Sequence, residues 1–292
     1  MLREKFIEYL LVERRYAQHT ITAYKSDLEQ FFIFIQMNYG EMDIATISHQ
    51  HIRTWVVELV AKETSTRSVN RKLSTLKSYY KFLLKEGVVE HSPMDKINPP
   101  KVSKRLPVYV EERQLSALLN KEIFDDSFEG FRDCLILETL YACGLRRSEL
   151  HQLQVTSFDK FLKQIKVLGK GGKERIIPVE SSLLNRLDAF LVKRVELGID
   201  NSFLMTNRIG EQLNEKAIYS IVKQYLSRIP GLEKKSPHVL RHTFATHLSN
   251  HGADLNAIKE LLGHSNLAAT QVYTHNSIEK LKKTFKQAHP RS

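Results

Sequence analysis

The stretch FLKQIKVLGKGGKERIIPV, residues 161–179, interrupts a chain that otherwise reads as helix. Ile165 and Val167 alternate with Gln164 and Lys166, GKGGK follows, and then comes Arg175-Ile176-Ile177-Pro178-Val179. Alternation on one side of a glycine-rich segment, with a β-branched run on the other, predicts a β-hairpin with a basic tip. The segments around it show helical spacing. The fold class expected is therefore mainly α with a small antiparallel β-sheet.

N-terminal to the hairpin, helices are expected near 111–120 and 127–143, the second closed by Gly144 as a C-cap. Before them lies SPMDKINPPKVSKRLPVYV, residues 92–110, with Pro93, Pro99, Pro100 and Pro107. That proline density disfavours helix and strand and predicts an extended linker. It divides the chain into a helical N-terminal domain over 1–98, a linker over 99–108 and a second domain over 109–292. Helices are expected in the first domain over Glu4–Arg14 and Thr20–Met37, and from a Ser48 N-cap to about Val60.

The clearest helix of the first domain runs from Thr66 to about Lys85. Val69, Leu73, Leu76, Tyr80 and Leu83 form one apolar stripe. Arg67, Arg71, Ser74, Ser78, Lys81 and Lys85 form a second, roughly 200° around the helix. Six basic residues and no acidic one fall between Thr66 and Lys85. A solvated face normally mixes signs, so this single-sign stripe points to tracking of phosphates, with Arg67, Arg71, Lys81 and Lys85 as candidate DNA-binding residues. A plain solvated face is the alternative.

C-terminal to the hairpin, helices resume at Ser181. In HVLRHTFATHL, residues 238–248, Ser236 and Pro237 supply an N-cap and an N1 proline. His238 then falls in a first helical turn, where free N–H groups favour an anion, and Arg241 follows one turn on. A guanidinium fork beside an imidazole can grip a phosphate and move a proton. The spacing of His238 and His242 also suits two metal ligands. However, HVLRH lacks the glutamate of an HExxH zinc site, and a cation would sit beside Arg241 and a positive helix end. His242 and His247 read individually as packing or surface residues.

The chain has 292 residues with 44 Lys+Arg against 33 Asp+Glu, a net charge of +11. The surplus favours a polyanionic partner, with nucleic acid first and an anionic membrane surface second. Cys134 and Cys143 lie in an apolar helical stretch and read as core thiols of a reducing compartment. The N-terminus lacks a signal peptide's apolar block, and no apolar run approaches membrane-spanning length. A cytoplasmic protein without a membrane span is expected.

Taken together and in order, GLRxSEL (144–150), GKGxKER (169–175), HxLRHTFATHL (238–248) and LLGHSxxxxTxxYTH (261–275) resemble the tyrosine recombinase, or phage integrase, family, and in spacing its Xer branch. Each motif alone is weak; the ordered set is specific, and the resemblance spans the full chain. It implies a SAM-like core-binding domain followed by a catalytic domain. By position it implies Arg146 and Arg241 as phosphate clamps, Lys170 as the acid that protonates the leaving 5′-oxygen, and His238 as proton acceptor. His264 would donate a hydrogen bond to the phosphate, and Tyr273 would be the nucleophile. Arg147 stands where many relatives carry an apolar residue.

The function so implied is site-specific cutting and rejoining of DNA through a 3′-phosphotyrosyl link, with neither metal nor cofactor. Its expected setting is resolution of chromosome dimers at dif-like sites during cell division. The partners would be double-stranded DNA and a homo- or hetero-tetramer, with a sister recombinase in the latter case. A mobile-element integrase, a type IB topoisomerase-like enzyme and a non-catalytic DNA-binding protein are the alternatives. The tail from Asn276 to His289, with Ile278, Leu281 and Phe285 on one face, is too short a helix to stand alone. It must dock on its own domain or, as the resemblance implies, on a neighbouring subunit.

Overall fold

A computed structural model describes residues 2–102, 108–169 and 172–263, together with 285, 287, 288 and 290. The chain forms two compact units, Met1–Arg105 and Leu106–Ser292. As expected, it is mainly helical with one small antiparallel sheet.

The first unit holds helices α1 (Leu2–Val12), α2 (Gln18–Tyr39), α3 (His49–Ala61) and α4 (Thr66–Lys85). Ser48 caps α3 as its sequence predicts, accepting from the Gln50 N–H. Helix α4 has the predicted bounds, and its whole apolar stripe is buried. This stripe meets a core rich in rings, in which Phe31 and Trp55 lie edge to face at 5.0 Å and Phe6 meets Tyr79 at 5.1 Å. Such pairs add about 1 kcal/mol each beyond their burial. The proline-rich stretch departs from the expectation in one place, because Pro93–Lys96 forms a 3₁₀ turn. Pro93 occupies its first position, where a missing N–H costs nothing. Ser92 accepts from the Met94 N–H, and Met94 is buried.

The second unit is built around α6 (Phe128–Ala142), preceded by α5 (Glu112–Leu118). Helix α6 is buried on all sides and packs against α8 (Ser181–Glu196), α9 (Glu215–Leu226) and α10 (Pro237–Asn250). Its buried charges are paired as their desolvation requires: Arg132 with Asp133 at 2.7 Å, and Glu138 with Arg186 at 3.0 Å. Both cysteines are buried, and burial pushes the Cys143 thiol up to about 12.

After α6 come the short α7 (Arg147–His151), a two-residue strand β1 (Phe158–Asp159) that the sequence does not announce, and the hairpin strands β2 (Gln164–Leu168) and β3 (Glu174–Pro178). The sheet order is β1-β2-β3, with Val167 opposite Arg175 and Ile165 opposite Ile177. The last described helix is α11 (Leu255–Leu262). Phe285 and Ala288 are buried in this unit's own core, and the Phe285 ring lies 6.4 Å from that of Phe244. Those two tail residues thus dock on their own domain; Ile278 and Leu281 lie outside the described residues. Among the described residues no helix is long and apolar enough to cross a membrane.

Candidate functional site

The site begins where α6 stops. Gly144 has φ +56°, and a Cβ there would lie 2.5 Å from Phe244 Cδ1, so only glycine fits both the backbone and the space. The reversal sets Arg146 at the N-cap of α7 in an extended conformation. Glu149, three residues on, accepts the Arg146 N–H at 2.7 Å. This is half of a capping box, and it draws a carboxylate beneath the arginine.

Glu149 is the hub of the site. Its Oε1 accepts from Arg146 Nη1 at 2.6 Å. Arg175 of β3 binds both its oxygens, each at 2.8 Å, in the bidentate fork that guanidinium geometry favours. Arg241 of α10 brings Nη1 to 3.7 Å from Oε2. Burial raises the Glu149 carboxyl, but the hydrogen bonds and charge of Arg175, with those of Arg146, outweigh it and hold the group at about 2. Burial, and next the neighbouring Arg146 charge, lowers Arg241 to about 10, so it remains a cation at neutral pH. Three guanidiniums against one carboxylate leave a local surplus of positive charge.

The same arginines take up the end of α11. Arg175 Nε donates to the Leu261 carbonyl at 2.8 Å, Arg241 Nη2 to Leu262 at 2.6 Å, and Arg146 Nη2 to Gly263 at 3.3 Å. These are carbonyls with no helical partner, at the negative end of the helix dipole. Arg241 Nη1 also donates to the Gly144 carbonyl at 2.6 Å. Four distant segments are thereby fixed on one cluster.

Exposure separates the three cations. The Arg146 side chain is 30 % exposed, that of Arg241 9 % and that of Arg175 4 %. Each guanidinium has five N–H donors. Arg146 and Arg241 each engage two of their nitrogens, so both keep N–H donors to spare, and Arg146 is partly exposed, whereas Arg175 engages all three of its nitrogens and is the most deeply buried.

The structure brings Arg146 and Arg241 together as expected. His238 is exposed in the first turn of α10, one turn from Arg241. Pro237 starts that helix as predicted, but Ser236 makes no side-chain cap hydrogen bond. His247 is a core residue. Its Nε2 faces the Val110 carbonyl at 2.9 Å and must donate, so Nδ1 accepts from the Tyr141 hydroxyl at 2.9 Å. Burial lowers its pKa and keeps it neutral. Lys170, His264 and Tyr273 lie outside the described residues. Their chain neighbours are placed, however. A Cβ on Gly169 would lie 3.6 Å from Arg175 Nη1, and one on Gly263 would lie 3.1 Å from Arg175 Cδ.

Sequence reasoning missed Glu149 and Arg175. The signal for Arg175 is its strand phase: it shares a face with Ile177, which is buried. A charge in phase with the core needs a buried partner. Arg147, the departure from the family pattern, also has a partner, since its Nε donates to Glu215 of α9 at 2.8 Å.

In the first unit Arg67, Arg71, Lys81 and Lys85 are all exposed on α4. The face is less uniformly cationic than its own sequence suggests. Arg71 pairs with the buried Asp27 of α2, which also binds Lys72 and Thr75. Lys85 pairs with Glu13 at 3.1 Å. Among the described residues Arg67 and Lys81 form no ion pair.

Residues 109–280 match the phage integrase family, and residues 4–87 match the phage integrase N-terminal SAM-like domain. The chain is 39 % identical over 293 residues to the tyrosine recombinase XerC of Bacillus licheniformis, covering 98 % of this chain and 95 % of that one. It is 37 % identical to XerC of Bacillus subtilis over 296 residues, with 98 % and 95 % covered. Among solved structures, the XerH site-specific recombinase bound to palindromic difH substrate shares the fold with a TM-score of 0.73 at 23 % identity, over 92 % of this chain and 80 % of that one. The Tn1549 transposon integrase in complex with circular intermediate DNA shares it with a TM-score of 0.71 at 19 % identity, over 96 % and 98 %.

Proposed function

This chain belongs to the phage integrase family of tyrosine recombinases, and we propose that it cuts and rejoins DNA at a dif-like site through Tyr273, with Arg146 and Arg241 as the phosphate clamp. One observation carries the assignment of the clamp. Two arginines, one at the N-cap of α7 and one in α10, converge on one buried carboxylate while keeping N–H donors to spare. Preorganised cations of this kind stabilise charge that develops on a phosphoryl group without reorganising at the moment of reaction.

In the proposed reaction Arg146 and Arg241 bind the non-bridging oxygens of the scissile phosphate. The Tyr273 oxygen forms a bond to phosphorus as the bond to the 5′-oxygen breaks, and Lys170 protonates that oxygen. His238 takes the tyrosine proton, and His264 donates a hydrogen bond to the phosphate. The phosphotyrosine conserves the bond energy, so a second strand's 5′-hydroxyl can reverse the step without a cofactor. The names of the curated relatives support an Xer role, and with it dimer resolution at a dif-like site by a tetramer that includes a sister recombinase or further copies of this chain. The exposed cations of α4 would follow the backbone of the flanking duplex.

The test is covalent trapping on a nicked dif-like half-site. Wild-type protein should form an adduct, in EDTA as well as in magnesium, because cationic side chains supply the electrostatics. Tyr273→Phe should bind equally and form none. An adduct that survives the change, or one that needs a divalent ion, would overturn the assignment.

A further inference from the structure

We infer that Arg175 is a positioning residue for strand cleavage: from inside the protein it sets the pose of Arg146 and Arg241, the residues that are to touch the phosphate. The inference rests on the clamp proposed above. Arg175 cannot touch DNA itself, because its side chain is 4 % exposed and its fork is spent on Glu149. It reaches the clamp by two routes.

The first route runs through Glu149. Arg175 holds both carboxylate oxygens, and the same oxygens receive Arg146 at its backbone N–H and at its side chain, with Arg241 close by. Without Arg175 the carboxylate can rotate toward Arg146 or Arg241 alone. Burial would also favour its protonation, because its principal charge-assisted bonds would be gone. The second route runs through α11. Arg175 fixes the Leu261 carbonyl, next to the Leu262 and Gly263 carbonyls that hold Arg241 and Arg146. The attachment points of the two further candidate residues lie against it as well, Gly169 before Lys170 and Gly263 before His264. One side chain thus touches the hub, the end of α11 and the hairpin together.

A brace that only stabilised the fold would lower cleavage equally at every pH. A residue that keeps Glu149 ionised has a different signature. The charged groups facing Glu149 are Arg146 before α7, Arg175 on β3 and Arg241 on α10. Removing Arg175 leaves two cations against burial, so the Glu149 carboxyl must rise. Cleavage by the variant should then be poorest in acid and recover as pH rises through that new value. In the wild type Glu149 is already ionised throughout this range.

The experiment uses the full chain on the nicked half-site, with Arg175→Met, Arg175→Lys, Glu149→Gln and the double variant Arg175→Met/Glu149→Gln. Half-site binding, circular dichroism and the adduct rate are measured from about pH 4, below the ordinary carboxyl value, to about pH 9. We expect both Arg175 variants to be folded and to bind like the wild type. Their adduct rates near neutrality should fall by about 10- to 100-fold, the loss usual for a charge-assisted buried bond. The variant-to-wild-type ratio should rise with pH for Arg175→Met and stay flat for the double variant, in which no carboxylate remains to titrate. A ratio independent of pH in Arg175→Met, or a wild-type rate in that variant, overturns the inference while leaving the recombinase reading intact. Wild-type protein that binds but forms no adduct overturns both. If Arg175→Met fails to fold, the arm with Arg175→Lys decides, since one ammonium cannot reproduce the bidentate hold.

Discussion

Replacing Gly144 with alanine tests whether the turn after α6 is fixed by backbone and space together. Two costs add. Alanine at φ +56° loses about 1–2 kcal/mol to the left-handed conformation. Its Cβ would also meet Phe244 Cδ1 at 2.5 Å, Phe244 Cε1 at 2.8 Å and a Leu262 methyl at 3.1 Å. Phe244 is wholly buried, with the Phe285 ring 6.4 Å away and tilted against it, so it has little room to retreat. Overpacking of this kind costs about 1–3 kcal/mol. The sum is about 2–5 kcal/mol. Gly252, at φ +79° with nothing within 4 Å of a Cβ, supplies the control, because Gly252→Ala should lose only the conformational part, about 1–2 kcal/mol. Urea unfolding followed by circular dichroism measures both. The single tryptophan, Trp55, lies in the first unit and should show an unchanged fluorescence transition. The Gly144 carbonyl also accepts from Arg241, so Gly144→Ala should slow adduct formation and Gly252→Ala should not. Equal destabilisation by the two substitutions would refute the steric argument.

Two further outcomes are expected. Glu149 is held at about 2 in the fold against an ordinary value of 4.5, so its ionisation contributes stability at every pH above about 4.5 that is lost as pH falls toward 2. The shift corresponds to about 3 kcal/mol, and an acid titration should show this loss in the wild type and a flattened limb in Glu149→Gln. On α4, neutralising Arg67 and Lys81 should lower the salt dependence of DNA binding by up to about one counterion per residue. Arg71→Ala should add a loss of stability that the other two do not show, because it removes a partner of buried Asp27. An unchanged salt slope would make this face an ordinary solvated one.

What the sequence discloses and what it conceals divide along contact range. Helix α4 is legible because its signal, an apolar stripe, repeats at spacings of about one turn. The hairpin and the start of α10 are legible for the same reason. The motifs mark Arg146 and Arg241 but not the carboxylate that unites them, although Glu149 stands three residues from Arg146. Arg175 reaches it from 26 positions away and Leu261 from 86. Periodicity along one strand marks Arg175 as buried but does not name its partners. The apparent single-sign face of α4 misled in the same way, since the counter-charges come from Asp27 on α2 and from Glu13 just after α1. The 3₁₀ turn at Pro93 shows that proline forbids helix interiors and not helix starts.

The end of α11 constrains the length of the chain as well as its composition. Its last three carbonyls, from Leu261, Leu262 and Gly263, each receive a different arginine. Asp254 fixes the other end by accepting the Asn256 and Ala257 N–H groups. One residue added or removed between these ends would turn the helix terminus by about 100° and shift it by about 1.5 Å along the axis. All three guanidiniums would lose their acceptors on this helix in that single step. Substitutions on the outer face of α11, such as at the exposed Leu255, leave the register untouched. The helix thus serves as a ruler of fixed length: its side chains can vary, but its number of residues cannot.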